Sequence, residues 1–226
     1  MLIIAGDLCA QQNGSFKYTQ QYGSFEDPRD GKAYKTTKIG DQVWMVENLD
    51  VSVFRNGDII PEAKSFEQWA KAGENKQPAW CYFNNDPSTG SKFGKLYNWY
   101  AINDPRGLAP MGWHIPSDIE WSVLQNKLGG EEDAVEHLIS KKDWPVSFLY
   151  GKNKSGFTAL PGGKRKEYGD FEGVGKLAAW WSSTESNYIT AWISQLEEIN
   201  ETFITEFKRV NYYKKASGFS VRCIKD

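Results

Sequence analysis

The sequence predicts a single α+β domain with strands at both ends of the chain and helices between them. Alternating apolar and polar residues near both termini indicate strands, and two helix-capping motifs stand in the middle of the chain. Strands and helices do not alternate as they would in a parallel βαβ series. A chain of 226 residues is long enough to bury a core without metals or disulfides. We divide it into an export remnant or flexible linker over 1–26 and a folded domain over 27–226.

The first element of the domain is a β-hairpin. A turn-forming cluster at 27–32 precedes a strand over 34–39. Gly40 and Asp41 supply a two-residue turn, and the return strand covers 42–46. This is the strongest hairpin pattern in the chain.

Three helices follow in the middle of the chain. The first begins after Ser65, because Gln68 stands three residues later and can bond back to the cap. The second begins after Ser117, where Glu120 completes the same motif and places a carboxylate at the positive end of the helix. The third covers 131–139, which starts with acidic residues and continues with a helical apolar pattern.

The second half of the domain combines irregular segments with strands. Residues 151–183 contain many glycines and aromatic residues but little periodicity, so we expect ordered irregular loops there. Three strand candidates follow, over 189–196, 202–207 and 219–224. Pairing of the N- and C-terminal strands would bring the two ends of the fold together.

Composition and missing motifs exclude several functions. Lysine and arginine number 27 against 29 aspartate and glutamate residues, so bulk charge does not favour a nucleic-acid partner. The two histidines cannot form a three-histidine metal site. No phosphate-binding loop or serine-nucleophile elbow is present. No apolar run reaches the roughly 18 residues that a membrane span needs.

Aromatic residues make up 15% of the chain, an excess that is typical of a loop-rich core or of a binding face. The most distinctive string contains Trp180 and Trp181, followed by two serines, a threonine and Glu185. Adjacent residues of a strand point to opposite faces, so one indole would enter the core and the other would face a surface or cleft. The neighbouring hydroxyls and carboxylate would then bind sugar hydroxyls. The alternative is that both indoles belong to the core.

Candidates for catalysis are few. His114 precedes the second helix without an obvious nucleophile nearby, so we expect a hydrogen-bonded structural histidine. A glycosidase would need two carboxylates roughly 5–10 Å apart across a cleft. Glu47, Asp170 and Glu185 are the first candidates for such a pair.

The cysteines Cys9, Cys81 and Cys223 form no C-x-x-C pair, which excludes a zinc ribbon or a thioredoxin-type motif. Two buried free thiols and a Cys81–Cys223 disulfide are both compatible with the spacing. The apolar start of the chain resembles the end of a signal peptide, so we expect a start further upstream and cleavage after about Ala10. A disordered start is the alternative.

Six short blocks, in order, resemble the Fibrobacter succinogenes major paralogous domain. They cover residues 34–49, 96–100, 112–121, 156–165, 181–185 and 220–223. The resemblance extends over about residues 27–226 and implies a fold similar to the C-type lectin-like domain, which the formylglycine-generating sulfatase modifiers share. It also implies an exported or surface-attached protein of Bacteroidetes-type bacteria, often a lipoprotein.

Few of the functional residues known in related families are present at the matching positions of this chain. The calcium-type sugar motifs of C-type lectins are absent, since Ala79 follows Gln77 and Pro78. The paired active-site cysteines of formylglycine-generating enzymes and the iron-binding histidines of the related sulfoxide synthases have no match either. Many family members carry a cysteine just before the Gly-Trp-His block, where this chain has none. The resemblance therefore implies that Cys81 pairs with Cys223.

We therefore predict a non-catalytic extracytoplasmic binding module whose ligand is a glycan or an envelope or extracellular protein. The predicted ligand-binding residues are Trp99, Arg165, Trp181 and Glu185. The alternatives are a structural or assembly domain of a surface lipoprotein or appendage, and an enzyme acting on glycans. We expect no nucleic-acid partner and no membrane span, with a lipid anchor as the form of membrane attachment. We expect no cofactor except a structural calcium, which Asp86 and nearby carbonyls of the loop over 84–94 would bind.

Overall fold

The computed structural model describes residues 22–140, 142, 144, 151–198 and 206–226. Within this part of the chain, three antiparallel sheets and five α-helices form a mixed fold with more strand than helix. The predicted mixed class is confirmed. No helix among the described residues combines the length and the apolar character needed to cross a membrane.

The strands are β1 (Tyr22–Glu26), β2 (Ala33–Ile39), β3 (Gln42–Met45), β4 (Trp80–Cys81), β5 (Leu96–Asn98), β6 (Trp113–His114), β7 (Gly162–Arg165), β8 (Phe171–Val174), β9 (Leu177–Glu185), β10 (Thr190–Glu197), β11 (Phe207–Lys214), β12 (Gly218–Phe219) and β13 (Ile224–Lys225). The helices are α1 (Phe66–Glu74), α2 (Gly90–Phe93), α3 (Trp99–Ile102), α4 (Asp118–Lys127) and α5 (Glu131–Leu138). Two 3₁₀ turns cover Phe83–Asn85 and Pro87–Thr89.

The first sheet joins the two ends of the fold in the order β1-β2-β3-β13-β6. Strands β2 and β3 form the predicted hairpin, with Ile39 opposite Gln42 across the two-residue turn. Gly40 adopts φ +63°, which a glycine tolerates because it lacks a Cβ. Ile224 in β13 pairs with Trp44 in β3, so the predicted pairing of the terminal strands is confirmed.

The three predicted helices are present. Ser65 caps α1, and its hydroxyl oxygen accepts a hydrogen bond from the backbone N–H of Gln68 at 3.2 Å. Ser117 caps α4, and the Glu120 carboxylate accepts from the backbone N–H of Ser117 at 2.7 Å. The one-turn helices α2 and α3 were not predicted, because single turns carry too little periodicity to be read from sequence.

The prediction of irregular loops over 151–183 is wrong for much of that segment, which contains β7, β8 and most of β9. The first six residues of β9, Leu177–Ser182, are all buried. Both faces of this strand are covered, so its sequence lacks the apolar–polar alternation that reveals a half-buried strand. Of the strand expected over 202–207, residues 202–205 fall outside the described residues, and β11 begins at Phe207.

The tail predicted over 1–26 includes a strand at its end. Tyr22–Glu26 form β1 and pair with β2 along the edge of the first sheet. The polar composition of β1 hides it, because four of its five residues are exposed. Residues 1–21, with Cys9 and the expected cleavage point after about Ala10, lie outside the described residues.

Strand β9 separates two parts of the core. Alternate residues of the strand belong to different clusters, with Trp181 in the larger cluster and Trp180 in the other. Trp180 stacks on Trp121 of α4 with ring centroids 5.8 Å apart, whereas Trp181 meets Phe219 edge-on at 4.8 Å. Both indoles are fully buried, so the alternative in which both belong to the core is confirmed.

The predicted Cys81–Cys223 disulfide is wrong, because both residues are free and buried. Cys81 packs in a small cluster beneath α1, whereas Cys223 packs in the larger core cluster. Desolvation raises the pKa of the Cys81 thiol to about 11 and that of Cys223 to about 12. Each thiol therefore serves as a small apolar core group.

Candidate functional site

Two of the four predicted ligand-binding residues are tryptophans, and both are buried. Trp99 is 4% exposed, and its ring N–H donates to the carbonyl of Ser182 at 3.0 Å. Trp181 is 0% exposed, and its ring N–H donates to the carbonyl of Tyr97 at 2.7 Å. The polar atom of each indole is thus bonded within the protein, and neither ring offers a face to a ligand.

Arg165 is also buried and holds three backbone carbonyls. Its guanidinium donates to Gly169 at 2.9 Å, to Ala63 at 2.8 Å and to Ser65 at 2.8 Å. The group lies 4.7 Å from the Trp69 ring centroid. Its bonds connect the turn after β7 with the segment that begins α1.

Glu185 is the one predicted site residue that reaches solvent, with 53% of its side chain exposed. Its carboxylate forms an ion pair with Lys215, whose ammonium lies 4.7 Å from the centroid of the Trp99 ring. The structure therefore brings Glu185 and Trp99 together through Lys215. The four predicted residues do not form one exposed site.

A β-bulge places two adjacent tyrosines side by side, an arrangement that was not predicted, with Tyr212 exposed and Tyr213 partly buried. Between two matched positions, β10 has only Trp192, whereas β11 has both Asn211 and Tyr212. The extra residue breaks the alternation of β11, so Tyr212 and Tyr213 lie side by side with ring centroids 4.7 Å apart. Tyr212 is 62% exposed.

These tyrosines belong to a larger surface between β11 and the β7–β8 hairpin, which we call the tyrosine–lysine surface. Its residues are Lys164, Lys166, Glu167, Tyr168, Asp170, Glu172, Tyr212, Tyr213 and Lys214. The Lys164 ammonium donates to the Tyr213 hydroxyl at 2.9 Å, and the Lys214 ammonium lies 5.4 Å from the centroid of the Tyr168 ring. Tyr168 is 58% exposed.

The charges of the tyrosine–lysine surface balance. Lys214 pairs with Glu167 at 3.0 Å, and Lys164 pairs with Glu172 at 3.0 Å. The bond to Glu167 raises the pKa of Lys214, so this lysine stays charged at neutral pH. The surface therefore offers exposed aromatic rings framed by fixed hydrogen-bonding groups without a strong net charge.

A second concave feature lies beside α1, and we call it the α1 groove. It has a volume of about 440 Å³. Its lining comprises Ile59, Pro61, Glu62, Ala63, Gln68, Lys71, Ala72, Gln77, Pro78, Ala79 and Arg106. The lining contains no aromatic side chain, which distinguishes the groove from the tyrosine–lysine surface.

His114 lies between two carboxylates at the edge of the first sheet. Its Nε2 is 2.7 Å from the Glu120 carboxylate and its Nδ1 is 2.7 Å from the Asp226 carboxylate. The expectation of a hydrogen-bonded histidine is thus confirmed. In this arrangement both ring nitrogens are occupied, and neither is available to take a proton from a substrate.

We expect the stabilisation contributed by His114 to decline as the pH rises. Desolvation lowers the pKa of His114, but Glu120 and Asp226 outweigh it and raise the pKa above the usual 6.5. The contribution is therefore full below pH 6.5 and is lost as the pH passes the raised folded-state value. The free-energy difference between wild type and His114→Gln should be larger at pH 5.5 than at pH 8.5, by about 0.5–1 kcal/mol.

Urea unfolding of both proteins at the two pH values measures this difference. The pKa of His137 is lowered, chiefly by desolvation, so its contribution to stability changes with pH in the opposite direction. Because both proteins contain His137, this contribution cancels when they are compared. A difference that does not change with pH would show that the contacts of His114 are not ionic.

The three carboxylates considered for glycosidase chemistry lie on separate elements. Glu47 follows β3, and its carboxylate accepts a hydrogen bond from the backbone N–H of Lys35 at 2.8 Å. Asp170 lies in the turn between β7 and β8, and Glu185 ends β9 in its pair with Lys215. None of the three lines the α1 groove.

The side chain considered for a structural calcium has a local role. Both carboxylate oxygens of Asp86 accept from Ser88, one from its backbone N–H at 2.9 Å and one from its hydroxyl at 2.8 Å. Asp86 thus caps the second 3₁₀ turn. Among the residues with described positions, no group of three or more metal-ligating side chains is present.

A scan of family models matches residues 37–225 to the Fibrobacter succinogenes major domain. A search of curated proteins found no significant match. A search of solved structures found none either. The family match covers most of the described fold, from β2 to β13, including the tyrosine–lysine surface and the α1 groove. The chain therefore belongs to the Fibrobacter succinogenes major domain family.

Proposed function

We propose that this chain is a non-catalytic binding module that holds a neutral glycan on the tyrosine–lysine surface. The observation that carries the proposal is the exposure of Tyr168 and Tyr212 beside ion-paired side chains. An exposed tyrosine presents an apolar ring face and a polar tip, which suits the apolar C–H face and the hydroxyls of a sugar.

The surface is preorganised for such contacts. Tyr213 is anchored by its edge-on contact with the core residue Phe219 at 5.0 Å, and Tyr212 lies against Tyr213. Lys164 is 9% exposed and is fixed by both Tyr213 and Glu172. Side chains that are already held lose little conformational entropy when a ligand binds.

Charge supports a neutral ligand rather than an acidic one. Lys164 and Lys166 both pair with Glu172, and Lys214 pairs with Glu167, so each lysine of this surface already has a carboxylate partner. An acidic sugar would have to displace these ion pairs to reach a cation. The hydroxyls of a neutral sugar can accept hydrogen bonds from the lysines and donate hydrogen bonds to the carboxylates without breaking the ion pairs.

Replacing Tyr212 by alanine is expected to weaken glycan binding about tenfold or more, as removal of a central aromatic anchor does at other interfaces. Binding should be measured on an array of neutral and acidic oligosaccharides, with and without calcium, and then by titration with the strongest neutral binder. Tyr168→Ala should weaken the same titration.

Tyr22→Ala is the matched control, because Tyr22 is 58% exposed but lies on β1 in a different sheet. It should leave glycan binding unchanged. No saturable binding by folded wild-type protein, or equal losses in Tyr212→Ala and Tyr22→Ala, would refute the proposal.

We further propose that the domain acts outside the cytoplasm and has a C-type lectin-like fold. Support for the fold comes from the paired terminal strands, the two helices α1 and α4, and the separate sheet formed by β9, β10 and β11. An extracytoplasmic location agrees with a glycan ligand. Fractionation of the native host, with detection of this chain in each fraction, tests the location.

A further inference from the structure

We propose that the α1 groove is a second binding site, which takes an extended peptide segment carrying one aspartate or glutamate side chain. The inference does not rest on the glycan proposal, because the groove shares no lining residue with the tyrosine–lysine surface.

The shape of the groove suits a peptide main chain. Its floor contains Ala63, which is 4% exposed, and Ala79, which is 1% exposed, while Pro61 and Pro78 lie along its sides. Such short side chains allow the backbone of a ligand to approach closely. A volume of about 440 Å³ has the size of a small-ligand pocket and accommodates a few residues.

One face of α1 supplies the polar wall. Gln68, Lys71 and Ala72 are three and four residues apart, so they lie together on that face. The Gln68 side-chain oxygen accepts from the backbone N–H of Lys64 at 2.8 Å, which directs its amide NH₂ away from the cap. The wall therefore presents hydrogen-bond donors, which match the carbonyl and carboxylate oxygens of a peptide.

The charges select an acidic side chain. Glu62 pairs with Lys64 at 3.2 Å, and Arg106 is held by Asp104 at 2.8 Å and by Asp58 at 3.2 Å. Lys71 has no carboxylate within salt-bridge distance among the residues that the structure places. Of the three charged residues that line the groove, Lys71 is therefore the one without an ion-pair partner among the described residues. A carboxylate of the ligand would supply that partner.

The lining disfavours a glycan in this groove. Sugars stack their C–H faces on aromatic rings, and no aromatic side chain lines the groove. A nucleic acid would need several cations, and the groove lining carries only Lys71 and Arg106. An acidic peptide is the ligand class that uses both the small apolar floor and the single unpaired ammonium.

The test uses the complete chain and a library of end-capped, fluorescent hexapeptides that contain Ala, Pro, Leu and one Glu, Gln or Lys. Fluorescence anisotropy should show saturable binding of Glu-containing peptides to wild type. Lys71→Glu should weaken that binding about tenfold or more and favour the Lys-containing peptides instead. Both proteins should have the same circular dichroism spectrum, because Lys71 is exposed.

Lys38→Glu is the matched control, since Lys38 is an exposed lysine on β2 and the substitution changes the net charge equally. It should leave peptide binding unchanged. No peptide binding by wild type, or equal losses in Lys71→Glu and Lys38→Glu, would overturn the inference. Tyr212→Ala should retain peptide binding and Lys71→Glu should retain glycan binding, so the two proposals fail separately.

Discussion

Replacing Trp181 by alanine is expected to lower the free energy of unfolding by about 3–5 kcal/mol, the usual cost of deleting a large buried aromatic side chain. Trp181 is fully buried, contacts Phe219 edge-on and donates to the carbonyl of Tyr97. The substitution would open a cavity in the larger core cluster and leave that carbonyl without its donor.

Urea unfolding monitored by circular dichroism measures this loss. Tyr188→Ala is the matched control, because Tyr188 is 80% exposed, and it should change the free energy by less than about 0.5 kcal/mol. A loss below about 1 kcal/mol in Trp181→Ala would contradict its placement in the core. Any loss of ligand binding in Trp181→Ala would reflect unfolding, so this variant does not locate a binding site.

Replacing Asn48 by leucine is expected to destabilise the fold by about 3–5 kcal/mol, because it removes a hydrogen-bond acceptor from a buried cation. The Asn48 side-chain oxygen accepts from the guanidinium of Arg222 at 2.8 Å and from the ring N–H of Trp180 at 2.8 Å. Arg222 is fully buried and has no carboxylate within salt-bridge distance among the described residues.

The remaining partners of Arg222 cannot replace Asn48. The guanidinium also donates to the carbonyl of Phe157, and its carbon lies 4.2 Å from the Phe157 ring centroid. Desolvation lowers the pKa of Arg222 to about 9, so the group is still charged at neutral pH. Leucine would therefore leave a buried charge without its main acceptor and would also orphan the Trp180 N–H.

Guanidinium chloride unfolding of Asn48→Leu against wild type tests this expectation. Asn126→Leu is the control, because Asn126 is exposed on α4, and it should change the stability by less than about 0.5 kcal/mol. If Asn48→Leu is as stable as the control, the charge of Arg222 must be satisfied by other groups.

The sequence predicts those elements whose signal is local. The β2–β3 hairpin follows from its two-residue turn, and α1 and α4 follow from capping motifs in which both partners lie within four residues. Strand β9 was missed because both of its faces are covered by distant parts of the chain. Periodicity cannot reveal a strand whose burial is decided by tertiary contacts.

The candidate site was harder to predict than the fold. Tryptophan and arginine are common in binding sites, but Trp99, Trp181 and Arg165 bond to backbone carbonyls inside the protein. Nothing in their local sequence distinguishes a buried donor from an exposed one. The adjacent pair Tyr212 and Tyr213 was a visible signal, yet its common orientation depends on a bulge set by pairing with β10.

The three carbonyl bonds of Arg165 connect the backbone near the two proposed sites through one buried side chain. Its guanidinium holds Ala63 and Ser65 behind the α1 groove and Gly169 next to Tyr168. A ligand that shifts either backbone segment must alter bonds that the other segment shares. By linkage, the factor by which a peptide in the groove changes glycan affinity equals the factor by which the glycan changes peptide affinity. Replacing Arg165 would leave all three carbonyls without this donor, so a single substitution is expected to loosen the backbone behind the groove and the backbone beside Tyr168 together.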